Sequence, residues 1–149
     1  MNQFVSPFVS QALVNEHRIH RKVFFDDTDG GGVVYHANYL KYLDHARSEF
    51  LSVRGFELSV MQHKDDIMFA VAEAHVKYIK PARLSDQLII IAKPLEASRV
   101  TLIFAQQIWR ADGAQQPQEL LLDATIKLAC LSASRFKPVR IPDAVLESF

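Results

Sequence analysis

Cysteine is almost absent from this sequence: Cys130 stands alone in 149 residues. A single thiol closes no internal disulfide and fits a reducing compartment. Residues 1–10 lack a basic region, and Ser, Gln and Pro interrupt their apolar side chains, which argues against a signal peptide. No apolar run approaches the length of a bilayer span. The expected setting is therefore cytoplasmic, with no membrane span. Neither sign of charge is in excess, since Lys plus Arg and Asp plus Glu both number 17. That balance gives no global pull towards nucleic acid or an anionic membrane. It also leaves self-association unopposed by net repulsion. Six histidines are present, yet none falls in a metal-ligand spacing such as H-E-x-x-H, so no metal and no cofactor is assigned.

Glycine is also scarce, and three of the five sit side by side at Gly30, Gly31 and Gly32. They come after Asp26, Asp27 and Asp29 and precede a long amphipathic segment. No G-K-[ST] comes after them, which rules out a phosphate loop.

The length fits one domain, residues 1–149, whose first fifteen residues show no clean period and read as an N-terminal arm. Residues 16–25 read as a strand, and 39–54 as the one long helix. Its apolar stripe is Tyr39, Leu43, Ala46 and Phe50, widened by Leu40 and Leu51, and Gly55 closes it. Asn38 is a candidate cap, or the first turn begins at His36. Residues 56–62 add a short turn and 64–66 a polar loop. Four strands come next, at 68–79, 88–92, 99–110 and 119–131. In the first, Met68, Ala70, Ala72, Ala74, Val76 and Tyr78 form the core side. The tail after Pro138 is irregular. One striped helix against successive antiparallel strands predicts an α+β, two-layer arrangement, with an uncovered edge as a natural dimer surface.

The acid–glycine turn carries the chemistry. A carboxylate serves as nucleophile on an activated carbonyl or as general base for water, and Asp29 is the candidate. A helix start supplies unpaired N–H groups and a positive dipole end, which suit a developing oxyanion. If the helix begins near His36, its backbone N–H is the donor, with Tyr35 beside it. The competing reading is a purely structural turn, since Asp and Gly are common in turns and an acid caps helices well. The His36 imidazole and Cys130 read as structural, and Glu49 as a second carboxylate at the rim of the stripe.

The run Asp27-Thr28-Asp29-Gly30-Gly31-Gly32-Val33-Val34-Tyr35-His36-Ala37-Asn38-Tyr39 resembles the signature of hotdog-fold acyl-CoA thioesterases. More narrowly it resembles the Tol–Pal-associated branch of the 4-hydroxybenzoyl-CoA thioesterase family. The stretch Val76-Lys77-Tyr78-Ile79-Lys80-Pro81-Ala82-Arg83-Leu84 is similar to the same branch, and the resemblance covers about residues 18–138. It implies a hotdog fold, one long helix wrapped by a five-stranded antiparallel sheet. It further implies a homodimer or homotetramer with sites between subunits, and hydrolysis of an acyl thioester to free acid and coenzyme A.

On that resemblance the catalytic carboxylate falls on Asp29 and the oxyanion donor on the main chain at His36, next to Tyr35. Gly32 and Tyr39 fall in the same motif as substrate-binding positions, and Lys80 and Arg83 become candidates for the coenzyme A phosphates. Members usually carry Ala or Pro where this chain has Gly30. Two rivals stand beside the hydrolase. In a hotdog hydratase four residues stand between the Asp and its His, whereas six separate Asp29 from His36. A non-catalytic thioester-binding scaffold would work with acyl carrier protein.

Overall fold

The computed structural model describes residues 15–149, so the expected arm falls outside the described residues up to residue 14. The described residues hold five strands and three α-helices, in the order β1 (His17–Lys22), α1 (Asn38–Ser52), α2 (Leu58–Asp65), β2 (Ile67–Tyr78), β3 (Gln87–Ala97), β4 (Thr101–Ala111), β5 (Pro117–Ser132) and α3 (Asp143–Ser148). The strands form one sheet in the order β1-β3-β4-β5-β2, with every pair antiparallel. Strands β1 and β2 are the edges, and the long helix crosses the inner face. This is the α+β hotdog arrangement.

Periodicity explains the packing. Along α1 the buried residues are Tyr39, Tyr42, Leu43, Ala46, Arg47, Phe50 and Leu51, one face of a 3.6-residue helix. They meet the inward alternation of the sheet: Leu88, Ile90 and Ala92, then Leu102, Phe104 and Ile108, then Leu122, Ile126, Leu128 and Cys130. Phe50 meets Phe104 edge-on at 5.3 Å, and Phe149 beyond α3 closes the cluster at 5.1 Å from Phe104. Among the described residues no helix is long and apolar enough to cross a membrane.

A polar pair enters this core. Arg47 is 5% exposed, and its guanidinium donates to Gln106 Oε1 at 2.9 Å, while Gln106 Nε2 donates to the Leu43 carbonyl at 3.0 Å. Desolvation lowers the pKa of Arg47, and Asp44 offsets part of that. The pair pins the helix to β4 at one rotation, because a buried guanidinium must keep its acceptor.

Several expectations are corrected. The first strand stops at Lys22, and Phe25–Asp27 turns as a 3-10 helix because Asp27 binds back to Phe24. The long helix spans Asn38–Ser52. Leu40, 42% exposed, lies outside the stripe, whereas Tyr42 and Arg47 lie inside it. Residues 56–66, read as a turn and a polar loop, contain the two-turn helix α2, which Asp66 ends in the left-handed region at φ 54°. Asp66 tolerates that conformation because its carboxylate accepts from Ser132 and Ser134. Strand β3 continues to Ala97, through a bulge near Pro94.

The inner face of β2 is also different. A bulge between Val71 and Glu73 flips the alternation, so Phe69 and Val71 pair with Cys130 and Leu128, and Ala74, Val76 and Tyr78 with Ile126, Ala124 and Leu122. Met68, Ala70 and Ala72 therefore point away from the core. The tail contains α3, with Ile141 and Val145 fully buried.

Gln106→Leu preserves side-chain volume and removes the nearer acceptor of Arg47, leaving Asp44 Oδ1 at 3.4 Å. Urea denaturation should show a loss of about 2–4 kcal/mol, the range for stranding a buried charge. An unchanged midpoint would show that the pair does not hold helix to sheet.

Candidate active site

After β1, Val23 is tied by its N–H to the Asp86 carbonyl at 2.9 Å, and the chain enters the acid–glycine loop. Asp27, 8% exposed, organises both this loop and the approach to α1. Its Oδ2 accepts the Phe24 N–H at 2.9 Å. Its main-chain oxygen accepts the Tyr35 N–H at 3.0 Å and the Asn38 side-chain amide at 2.8 Å. Lys41 Nζ approaches Oδ1 at 3.9 Å. Burial, then Asp27, raises the pKa of the neighbouring Tyr42 hydroxyl.

The loop is a tight hairpin. Thr28 bridges Val34, and the Asp29 N–H donates to the Val33 carbonyl at 3.0 Å. Gly30 and Gly32 stand at φ +87° and +86°, the left-handed region that side chains avoid. A proline at position 30 could not adopt that angle. Gly31 donates its N–H to Asp29 Oδ1 at 2.7 Å, and a Cβ there would lie 3.1 Å from the same oxygen. The Asp29 carboxylate is thus oriented by one oxygen, and its residue stays exposed. The loop is seated on the turn after β2: Val33 bridges Arg83, Val34 donates to the Ala82 carbonyl at 2.9 Å, and Leu84 donates to the Gly32 carbonyl at 3.0 Å.

The helix start is open. Ala37, not Asn38, occupies the cap position, and no side chain caps α1. Asn38 turns its amide to Asp27 instead. The helix proper begins at Asn38, two residues later than a start at His36. Residues 35–38 make the turn before it, in which the Asn38 N–H donates to the Tyr35 carbonyl at 2.9 Å. The N–H groups of His36 and Ala37 have no acceptor among the described residues. Such open donors at a helix start suit an anion.

The other candidate residues separate into groups. Tyr35 and His36 are exposed, with rings 4.5 Å apart. Tyr39 is only 3% exposed, and its hydroxyl accepts the Ala82 N–H at 2.9 Å, which makes it a brace between helix and turn. Val34, His36, Tyr39, Tyr78, Lys80 and Pro81 line a surface cleft of about 280 Å³. Lys80 is paired with Glu119 at 3.1 Å, and that hydrogen bond holds the Glu119 carboxyl below its ordinary range. Arg83 is exposed, and no carboxylate pairs with it among the described residues. Glu49 lies elsewhere, 3.3 Å from His17 in a cleft between β1, α1 and α2.

Sequence reasoning did not find Tyr78, whose hydroxyl donates to the His36 carbonyl at 2.9 Å, nor the role of Asn38 at the Asp27 carbonyl. The first contact spans 42 residues and the second 11, so neither leaves a local pattern.

The model of the thioesterase superfamily matches residues 31–116. The acyl-CoA thioesterase YbgC of Haemophilus influenzae is 33% identical over 128 residues, 86% of this chain and 90% of that protein. The chain belongs to the thioesterase superfamily. The YbgC acyl-CoA thioesterase of Helicobacter pylori is similar at 32% identity, over 81% of this chain and 90% of its own. A solved 1,4-dihydroxy-2-naphthoyl-CoA thioesterase from Synechocystis superposes with a TM-score of 0.78 at 25% identity, covering 89% of this chain and 94% of the other. A 4-hydroxybenzoyl-CoA thioesterase from a Pseudomonas species reaches 0.82 over 91% of this chain and 99% of the other, at 18% identity, a likeness of fold.

Proposed function

We propose that this protein hydrolyses acyl-CoA thioesters, with Asp29 as the working carboxylate and the His36 main-chain N–H as oxyanion donor. The observation that carries the reading is an exposed, oriented carboxylate on the same short loop as donors that have no acceptor among the described residues. The YbgC relatives, alike over most of both chains, supply the substrate class.

The thioester carbonyl oxygen accepts from the helix-start N–H, which stabilises the negative charge that develops there. Asp29 Oδ2 then adds to the carbonyl carbon, expelling the coenzyme A thiolate and leaving an anhydride that water opens. In the alternative route it takes a proton from the water that adds. Both routes end in free acid and coenzyme A, and both need Oδ1 held by Gly31. Six residues, not four, stand between Asp29 and His36, so the hydratase pattern is not reproduced. A scaffold for acyl carrier protein would have no use for an oriented, solvent-facing carboxylate.

Arg83 is the better candidate for a coenzyme A phosphate, because Lys80 is already neutralised by Glu119. Edge strand β2 exposes Val71 and Tyr78, and twelve residues of unpaired edge invite another strand. A second copy pairing antiparallel about residues 71–75 completes the sheet, and sets the Tyr78 end of one protomer beside the Phe69 end of its partner.

Asp29→Asn should keep the fold and lower thiol release from acyl-CoA by a factor of about 10² or more. Near wild-type turnover would sink the assignment. Arg83→Ala should raise KM for acyl-CoA several-fold at constant kcat. An unchanged KM for acyl-CoA, or an equal rise for a truncated pantetheine thioester, would remove its phosphate role. Light scattering should give at least twice the mass of one chain; a monomer would exclude the β2 pairing.

A further inference from the structure

We propose that the oxyanion pocket has a second donor, the main-chain N–H of Ala37, and that the Tyr78 hydroxyl is the positioning group that aims it. This rests on the Asp29 hydrolase reading and names two groups that reading does not use.

A peptide unit is planar and trans, so its C=O and the following N–H point in opposite directions. A bond that fixes one fixes the other. Three successive peptides at the helix start are pinned in this way by three different partners. The 34–35 peptide is held through its own N–H, which donates to the Asp27 carbonyl at 3.0 Å. The 35–36 peptide is held through its carbonyl, which accepts from the Asn38 N–H at 2.9 Å, and this aims the His36 N–H. The 36–37 peptide is held through its carbonyl by Tyr78 at 2.9 Å, and this aims the Ala37 N–H. Only the first of the three has its N–H taken. Ala37 is helical, at φ −72° and ψ −24°, and as the cap residue of α1 it carries one of the unpaired N–H groups of the helix start.

Tyr78 is suited to this task by its own support. Its ring meets Tyr39 edge-on at 5.5 Å, and Tyr39 is anchored to the Ala82 N–H. The hydroxyl therefore sits at a defined height over the turn. Tyr78 itself is 47% exposed on an edge strand, so its bond to His36 contributes little to stability in water. Two donors on adjacent peptides would share the thioester oxygen as it becomes an oxyanion. No proton moves between them and it; they lower the barrier by fixed dipoles.

Tyr78→Phe keeps the ring and removes the hydroxyl. Thiol release should slow about tenfold in kcat, with KM and thermal midpoint essentially unchanged, the pattern of an interaction made in the transition state. Replacing Ala37 by lactic acid through nonsense suppression converts its amide to an ester and deletes the N–H. That should lower kcat by about 10²–10³, the cost of one oxyanion donor. Because both changes act on one donor, Tyr78→Phe should slow the wild-type chain but not the ester chain. Unchanged kcat in both variants, additive losses in the double variant, or a raised KM at constant kcat for Tyr78→Phe would overturn the proposal. Asp29→Asn separates the two layers: full activity there removes Asp29 as the working carboxylate, the reading on which this proposal rests. An inactive Asp29→Asn with a fully active ester variant removes only the Ala37 donor.

Discussion

The main-chain oxygen of Asp27 is the point on which the site depends. It accepts two donors at once, the Tyr35 N–H from the far side of the glycine hairpin and the Asn38 amide from the first turn of α1. Its carboxylate meanwhile closes the turn behind it on Phe24. One residue, nearly buried, thereby fixes the hairpin and the helix start to each other. That node ties the hairpin bearing Asp29 directly to the helix start at His36, in addition to the anchorage both have on residues 78–84, and so relates carboxylate to donor in a fixed geometry.

That arrangement leaves a helix end without its usual satisfaction. A capping side chain would stabilise α1 by about 1 kcal/mol, yet Ala37 has none to offer and Asn38 faces the other way. The fold compensates elsewhere, through the stripe of α1 against the sheet and the Arg47–Gln106 pair beneath it. Stability is supplied by the buried layer, which frees the exposed end for a ligand. The second family-like stretch, residues 76–84, belongs to the same plan. It supplies the Ala82, Arg83 and Leu84 backbone that seats the hairpin, and Tyr78 that touches the turn.

Much of this was legible. Helical spacing from Tyr39 to Phe50, alternation in the later strands and the three adjacent glycines gave the layers, their order and the place of the site. The errors share a cause. The β2 bulge and the α2 helix each depend on a contact distant in the chain: pairing with β5, and packing between α1 and β2. Periodicity reports which face is apolar, and it cannot report where an inserted residue reverses that face.

The sequence by itself determined the two-layer α+β architecture, the glycine positions that only glycine fills at φ near +87°, and Asp29 as the candidate carboxylate. Those features come from local sterics and from the period of burial, properties that neighbouring residues already contain. Tertiary structure alone decided which N–H groups stay open, because that depends on where each carbonyl and amide finds its partner. The Tyr78 bond to His36 and the Asn38 bond to Asp27 are made by residues that come together only once the sheet and helix have closed on each other.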